Sequence, residues 1–408
     1  MTLVARSSRL LIDNLKRHLS SVCHIHHRTS HKFPYVAKFL SYSPAISQQN
    51  LVFKYFTASV FLSLRKLSTT RSIAIFWKDK ISVQDTNKMN NSHTSHDGKS
   101  LVNRYIFVQT LDQFYEDVPD GIILDTAYAD SRPGEAYDKY VPVVLGLHDT
   151  PGTHHDLLPI LGTFAKLGCR TIAPTFPGHG ETQSLMRGLD NVFCHSTIER
   201  ALFVHNFLNE LDIRRVDMVV AIGAACYPAL RLCAGGDLTN FYRSMALISP
   251  WPLTRKRYEA NIELARRIQY LWDNPLLRPP VRLLLPSYKD GKSQTIREKV
   301  TSAYLLNNLN LPEAAGFALA AGILNVPRFV MFGECDHEVE KNLYYDFVDK
   351  MEIPKANIST YKGKLDFPKL PGAMAFPEDN YDIHMEHPGV ISISLLSLLK
   401  LFYPNIQL

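Results

Sequence analysis

Residues 141–152 read VPVVLGLHDTPG, an unbroken apolar run that ends at once in polar and turn-forming residues. A run of Val and Leu without polar alternation is typical of a strand that is buried on both faces of a sheet. Residues 216–222 (VDMVVAI) have the same character and lead into a stretch of small residues. Two strands of this kind predict a parallel sheet with helices covering both of its faces.

Strand and helix patterns alternate along the rest of the folded body, which is predicted to span residues 101–408. This alternation predicts right-handed β-α-β crossovers and an α/β protein built on a mostly parallel sheet. The predicted strands span residues 105–110, 122–127, 141–147, 171–173, 216–222, 244–249 and 328–332, and the predicted helices span 157–167, 196–211, 228–233, 343–351 and 390–401.

Two loops that follow predicted strands carry motifs, at the edge where open parallel sheets place their sites. Residues 147–152 read LHDTPG and residues 176–182 read FPGHGET. These resemble H-G-x-P-G and D-x-P-G-H-G-x-S of the α/β-hydrolase superfamily, and a closer resemblance is to an uncharacterised nematode family of α/β-hydrolase-like proteins. The resemblance implies the α/β-hydrolase fold, with a helical cap that corresponds to an insert at about residues 250–325.

The resemblance places a nucleophile elbow, G-x-S-x-G, after the strand at 216–222, where the chain reads Ala-Ile-Gly-Ala-Ala-Cys over residues 221–226. Gly223 stands at the position of the serine, and glycine adopts a positive φ without strain. The segment is therefore interpreted as an elbow without a nucleophile. Cys226 lies about one helical turn further on, and a loop out of register is the alternative interpretation.

The acid and base positions are also taken from the resemblance. Asp336, in the sequence GECDH at 333–337, corresponds to the carboxylate that orients the catalytic histidine. In residues 381–388 (YDIHMEHP), alignment on the Glu and Pro puts Tyr381 at the histidine position. A shift of three residues would put His384 there instead, so His384 is the reserve base. The alternatives are a turn-capping role for Asp336 and a non-catalytic role for His384.

The oxyanion loop is assigned to His148, Asp149 and Thr150, together with Ala224 after the elbow. His148 matches the histidine of the family motif, but Asp149 replaces its glycine. A carboxylate at that point would repel a developing oxyanion, which is a second defect in the hydrolytic machinery.

Two functions are consistent with these residues. The first is a pseudoenzyme, a non-catalytic protein that binds a small apolar ligand or a protein partner in a pocket under the cap. The alternative is an active hydrolase of the esterase or lipase type, in which His384 activates water against Asp336 to cleave a carboxylic ester. No cofactor and no metal are expected, because residues 154–156 (HHD) and the His-rich segment at 23–31 lack ligand spacing. The oligomeric state stays open.

Charge is divided unevenly along the chain. Residues 1–77 hold 11 of the 45 Lys and Arg residues and a single acid, so the remainder is mildly acidic. This argues against nucleic-acid binding, and no apolar run reaches the roughly 18 residues of a membrane span. Residues 1–77 are interpreted as a basic mitochondrial (matrix) targeting segment and 78–100 as a polar linker. Without a targeting segment the protein would be cytoplasmic.

A matrix-processing site is predicted at residues 65–68 (RKLS), with Arg two residues before the cut and Ser after it. Import should therefore remove about the first 67 residues. N-terminal sequencing of the protein from isolated mitochondria should begin at Ser68. A mature chain that begins at Met1, or a fluorescent fusion that stays in the cytoplasm, would contradict the prediction.

Overall fold

The computed structural model describes residues 101–110, 118, 120–184, 193–236, 238, 240–254, 259–274, 276–284, 288–289, 292–293, 295–337, 339–364 and 369–406. The predicted targeting segment at 1–77, the linker at 78–100 and the His-rich segment at 23–31 lie outside these residues. Those assignments therefore stay predictions.

One sheet of ten strands organises the described part of the chain. The strands of this sheet are β1 (Val102–Gln109), β2 (Ile123–Asp130), β3 (Val143–Leu147), β4 (Arg170–Pro174), β5 (Gln183–Ser184), β6 (Met218–Ile222), β7 (Met245–Ile248), β10 (Arg328–Gly333), β11 (Ile358–Thr360) and β12 (Gly372–Phe376). A separate two-stranded sheet consists of β8 (Tyr288–Lys289) and β9 (Lys292–Ser293). The order across the sheet is β1-β2-β4-β3-β6-β7-β10-β12-β11, and β5 pairs with β2. All pairs from β4 to β11 are parallel, whereas β1, β2 and β5 make antiparallel pairs.

The central strands are buried on both faces, as their apolar runs predict. Successive side chains of a strand point to opposite faces. Leu145 and Val219 accordingly join one apolar cluster, and Val144 and Val220 join another on the other side. The fold class predicted from the sequence, an α/β protein with a mostly parallel sheet and helices on both faces, is confirmed.

Ten helices are described, and those beside the sheet form its two outer layers. They are α1 (Leu158–Lys166), α2 (Thr197–Glu210), α3 (Cys226–Ala234), α4 (Glu259–Asp273), α5 (Arg278–Leu284), α6 (Ile296–Asn307), α7 (Leu311–Ile323), α8 (Lys341–Lys350), α9 (Ile383–Glu386) and α10 (Pro388–Lys400). Helices α1 and α10 pack together on one face, and α2, α3, α7 and α8 cover the other. Within the described part of the chain, each helix is too short or too polar to span a bilayer.

The predicted insert at 250–325 contains helices α4 to α7. Helices α4 and α6 pack against each other, whereas α7 adds apolar residues to the cluster beneath α3. Helix α6 contacts the loop after β4 at Gly178. The absence of a side chain there leaves room for Thr301, since a Cβ at 178 would lie 2.3 Å from the Thr301 hydroxyl oxygen. The insert therefore touches a loop at the carboxyl edge of the sheet.

An ion pair between Arg170 and Asp130 is buried at the junction of β2 and β4, with 2.9 Å between Nη2 and Oδ2 and side chains 5% and 1% exposed. Arg170→Met should lower the free energy of unfolding by about 3–5 kcal/mol, because it leaves the Asp130 carboxylate buried without its cation. The exposed pair of Arg214 and Asp212 supplies the control: Arg214→Met should cost less than about 1 kcal/mol. Urea denaturation of the two variants measures the difference, and equal losses would contradict the prediction.

Candidate functional site

A strand-to-helix turn forms where the elbow is predicted. β6 ends at Ile222, Gly223 has a φ of +57°, and a short 3-10 turn leads into α3. This is the local geometry that lifts a nucleophile above the carboxyl edge of the sheet in nucleophile elbows. Because glycine adopts a positive φ freely, the turn carries no backbone strain.

The space that a nucleophilic side chain would need is filled by two other side chains. A Cβ at 223 would lie 2.1 Å from the hydroxyl oxygen of Tyr381 and 2.3 Å from both Cγ and Oδ1 of Asp149. Real Cβ atoms essentially never make contacts under 3.0 Å, so the side chains of Tyr381 and Asp149 would have to shift to admit one. The structure thus brings together three of the residues selected from the sequence, Gly223, Asp149 and Tyr381.

Asp149 is held at this point by hydrogen bonds to its carboxylate. The backbone N–H of Ala224 donates to Oδ1 over 2.7 Å, the Tyr381 hydroxyl donates to Oδ2, and the backbone N–H of Thr150 also donates to the carboxylate. The N–H after the elbow residue is the donor that forms an oxyanion hole in elbow-based hydrolases. Here that donor already binds an internal anion, so Asp149 occupies the hole as well as opposing a second negative charge.

His148 fixes the loop that carries Asp149. The N–H of Phe176 donates to Nε2 of His148 over 2.8 Å, which assigns the ring proton to Nδ1, and Nδ1 donates to the Asp149 carbonyl over 2.6 Å. Burial lowers the pKa of His148 well below its ordinary value, so the ring is neutral. His148 therefore joins the loops after β3 and β4.

Asp336 lies after β10, as predicted, and binds a tyrosine. The Tyr344 hydroxyl donates to Oδ2 over 2.5 Å, and the N–H of Val339 donates to Oδ1 over 3.2 Å. The hydroxyl of Tyr381, at the predicted base position, donates to Asp149. In these hydrogen bonds the predicted acid, Asp336, is thus paired with Tyr344, and the residue at the predicted base position, Tyr381, is paired with Asp149.

His384 lies beside Tyr381. Its side chain is buried on α9, and the two ring centroids are 6.4 Å apart with nearly perpendicular planes. Its role as a reserve base stays a prediction.

Residues 106–250 match the model of a family described as "Alpha/beta hydrolase of unknown function (DUF1057)". Among solved structures, haloalkane dehalogenase DbeA from Bradyrhizobium elkani USDA94 is similar with a TM-score of 0.50 and 15% identity, over 74% of this chain and 100% of that one. The chain has the α/β-hydrolase fold. A thermophilic esterase from Thermogutta terrifontis matches with a TM-score of 0.49 and 15% identity, over 73% of this chain and 98% of that one. No curated protein is significantly similar to the sequence.

Identities this low concern the fold and leave the chemistry of the site to be argued from its residues. The resemblance to a nematode family likewise stays a prediction.

The pKa values of Asp149 and Tyr381 make the two side chains a hydrogen-bond acceptor and donor rather than an acid-base pair. Desolvation raises the pKa of Asp149 to about 6, although the hydrogen bonds from Tyr381 and Ala224 lower it. Burial and then the charge of Asp149 raise the pKa of Tyr381 well above its ordinary value. At neutral pH Asp149 is mainly ionised and Tyr381 keeps its proton. Tyr381 is therefore a poor base for a nucleophile.

Cys226 lies in the core beside the turn and is poorly suited to act as a nucleophile. Its Sγ donates to the carbonyl of Ala221 over 3.5 Å, inside the core. Burial raises the pKa of its thiol well above the ordinary value. The reactive thiolate is therefore scarce at neutral pH.

Sequence analysis did not select two residues that lie near the elbow. Ser249, at a φ of +44°, donates its hydroxyl to the Tyr381 carbonyl over 2.8 Å and so positions that tyrosine. Arg200 is fully buried, with its guanidinium carbon 3.7 Å from the ring centroid of Phe176. Burial lowers the pKa of Arg200 to about 9, although the negative charge of Asp149 raises it. The spacing of Arg200 from Val204 and Phe207 puts all three on one face of a helix, which would have indicated that Arg200 is buried.

Metal binding has weak support at the histidines considered from the sequence. Nδ1 of His154 lies 2.6 Å from the Thr175 hydroxyl oxygen, Nε2 lies 3.2 Å from Oδ1 of Asn103, and Asp156 closes a capping box. Elsewhere among the described residues, Asp379, Glu386 and His387 bring ligand atoms within 4.8 Å of one another. His387 Nε2 is 3.0 Å from Asp379 Oδ2, so an ordinary hydrogen bond accounts for that contact.

The raised pKa of Asp149 predicts a pH dependence of stability. Its ordinary value of 3.8 rises to about 6 in the fold, so the folded state binds the proton more tightly. The stability contributed by this proton is complete below about pH 4 and is lost as the pH rises through about 6. Asp149→Asn should flatten the fall in urea midpoint over this window.

Urea midpoints at several pH values across the window, for both proteins, provide the measurement. The same slope in Asp149→Asn and in the unchanged protein would contradict the shift.

Proposed function

We propose that this protein is an α/β-hydrolase-fold pseudoenzyme that binds a small ligand or a protein partner beneath a cap formed by α4 to α6. The observation that supports the lack of turnover is the Asp149 carboxylate, held by Ala224 and Tyr381 in the space where a nucleophile would stand.

Acyl transfer on this fold needs a nucleophile, a base that takes its proton and donors for the oxyanion. Removal of nucleophile and base alone typically leaves a residual acceleration of about 10³–10⁴, which comes from the oxyanion hole and substrate binding. In this chain the Ala224 donor of that hole is also engaged. All three requirements therefore fail at one point.

Binding is supported by the region between the insert and the sheet. A cavity of about 290 Å³ is lined by α4, α5 and α6 and by the loop at Gly178. A concave site of this size fits a small molecule. Mitochondrial localisation is part of the proposal and depends on residues 1–77.

Restoring activity should need three changes. Gly223→Ser alone should give no ester hydrolysis and should lower the free energy of unfolding by at least about 1–3 kcal/mol, because the serine is strained and meets Asp149 and Tyr381. Asp149→Gly, Gly223→Ser and Tyr381→His together free the hole and supply nucleophile and base. The triple variant should hydrolyse p-nitrophenyl butyrate above background.

The matched control is the same triple variant with Ala in place of Ser at 223, which should be inactive. Turnover by the unchanged protein, or its labelling by a fluorophosphonate, would contradict the proposal. Loss of that turnover in His384→Ala would instead establish the alternative, an active hydrolase with His384 as the base.

A further inference from the structure

The cavity lies apart from the elbow. Its walls come from the loop after β4, the segment before α2 and the three helices α4, α5 and α6. Among the described residues, neither Gly223, Asp149 nor Tyr381 lines it. The cavity therefore has its own chemistry, independent of the missing nucleophile.

Three arginines and no acidic residue line this cavity: Arg278 and Arg282 from α5, and Arg297 from α6. Arg278 donates Nε–H to the carbonyl of Trp272 over 2.8 Å, and Arg297 donates through Nη2 to the carbonyl of Thr182 over 3.1 Å. Within the described part of the chain, no salt bridge neutralises any of the three. Guanidinium groups that converge on a concave site favour an anion and can bind its oxygens in pairs.

A buried, unpaired polar atom lies on the same wall. His195 lines the cavity, its side chain is 5% exposed, and its Nδ1 has no hydrogen-bond partner among the described residues. His195 also holds a φ of +58°, a strained conformation for a residue that is not glycine. Buried polar groups without a partner and strained residues of this kind concentrate at binding sites.

Most of the remaining wall is apolar, and Thr301 and Tyr304 add two hydroxyl groups. Phe193, Trp272, Ile296 and Val300 face the cavity beside the arginines. A ligand that satisfies all the walls carries an anionic head and a short apolar body. The volume of about 290 Å³ lies at the lower end of small-molecule sites, so the body is short.

We propose that this cavity binds a small organic anion, a carboxylate or phosphate monoester with a short apolar chain, through Arg278, Arg282, Arg297 and His195. This inference rests on the binding role proposed above. It replaces the purely apolar ligand expected from the sequence with an amphipathic one, because the cavity adds three cationic side chains to its apolar walls.

Calorimetric titration of the full chain with octanoate, octyl phosphate and octanamide tests the proposal. Octanoate or octyl phosphate should bind at least about tenfold more tightly than octanamide, which has the same chain without the charge. The stronger of the two anions identifies the head group.

Arg282→Gln is the informative variant, because its side chain is exposed and its loss should leave the fold intact. It should weaken anion binding by about tenfold. Arg266→Gln, an exposed arginine on α4 outside the cavity lining, makes the same charge change and should leave the affinity unchanged. The melting temperature of each variant confirms folding.

An affinity for octanamide equal to that for both anions, an equal loss in Arg266→Gln, or no heat of binding up to about 10 mM of either anion would each overturn the inference. These outcomes are distinct from failure of the proposed pseudoenzyme. Ester hydrolysis by the unchanged protein would overturn the proposed lack of turnover and leave the anion site in place. If the protein neither binds the anions nor hydrolyses esters, the anion site is overturned and the proposed lack of turnover stands.

Discussion

A single carboxylate connects three parts of the sheet edge. Asp149 follows β3, the N–H of Ala224 that it binds follows β6, and the Tyr381 hydroxyl that it binds follows β12. The two partners lie 75 and 232 residues away along the chain. Around this contact, His148 fixes the backbone of Asp149 and Ser249 fixes that of Tyr381. The arrangement of this edge therefore depends on the Asp149 carboxylate and its two donors.

The turn at Gly223 forms without a nucleophilic side chain because its geometry depends on the backbone alone. The sharp passage from β6 to α3 is set by backbone geometry, and Gly223 adopts it without strain. Because Gly223 has no side chain, Asp149 and Tyr381 can approach the turn and fill the space above it. The fold thus has an elbow-like turn whose upper side is occupied by a hydrogen-bonded contact between Asp149 and Tyr381.

Charge is also distributed differently from that of a hydrolase site. At neutral pH the elbow holds an anion, Asp149, with the buried Arg200 as the nearby cation that favours its ionised form. The cavity under the insert holds cations, with Arg278, Arg282 and Arg297 on its walls. A negatively charged ligand would therefore be favoured in the cavity and disfavoured at the elbow.

Local patterns in the sequence predicted the central strands of the sheet and the helices beside them. The apolar runs of β3 and β6 required burial on both faces, and the small residues after β6 required a tight turn at Gly223, because these features depend on neighbouring residues alone. Strand β12 (GAMAF) was missed, since Gly and Ala give no strand signal and its burial comes from β10 and β11 on either side. The pairing of Asp149 with Tyr381, the burial of Arg200 and the arginine-lined cavity were decided by the tertiary structure. Each of these features depends on residues from separate loops and helices. Local sequence patterns do not predict which of these distant segments come into contact.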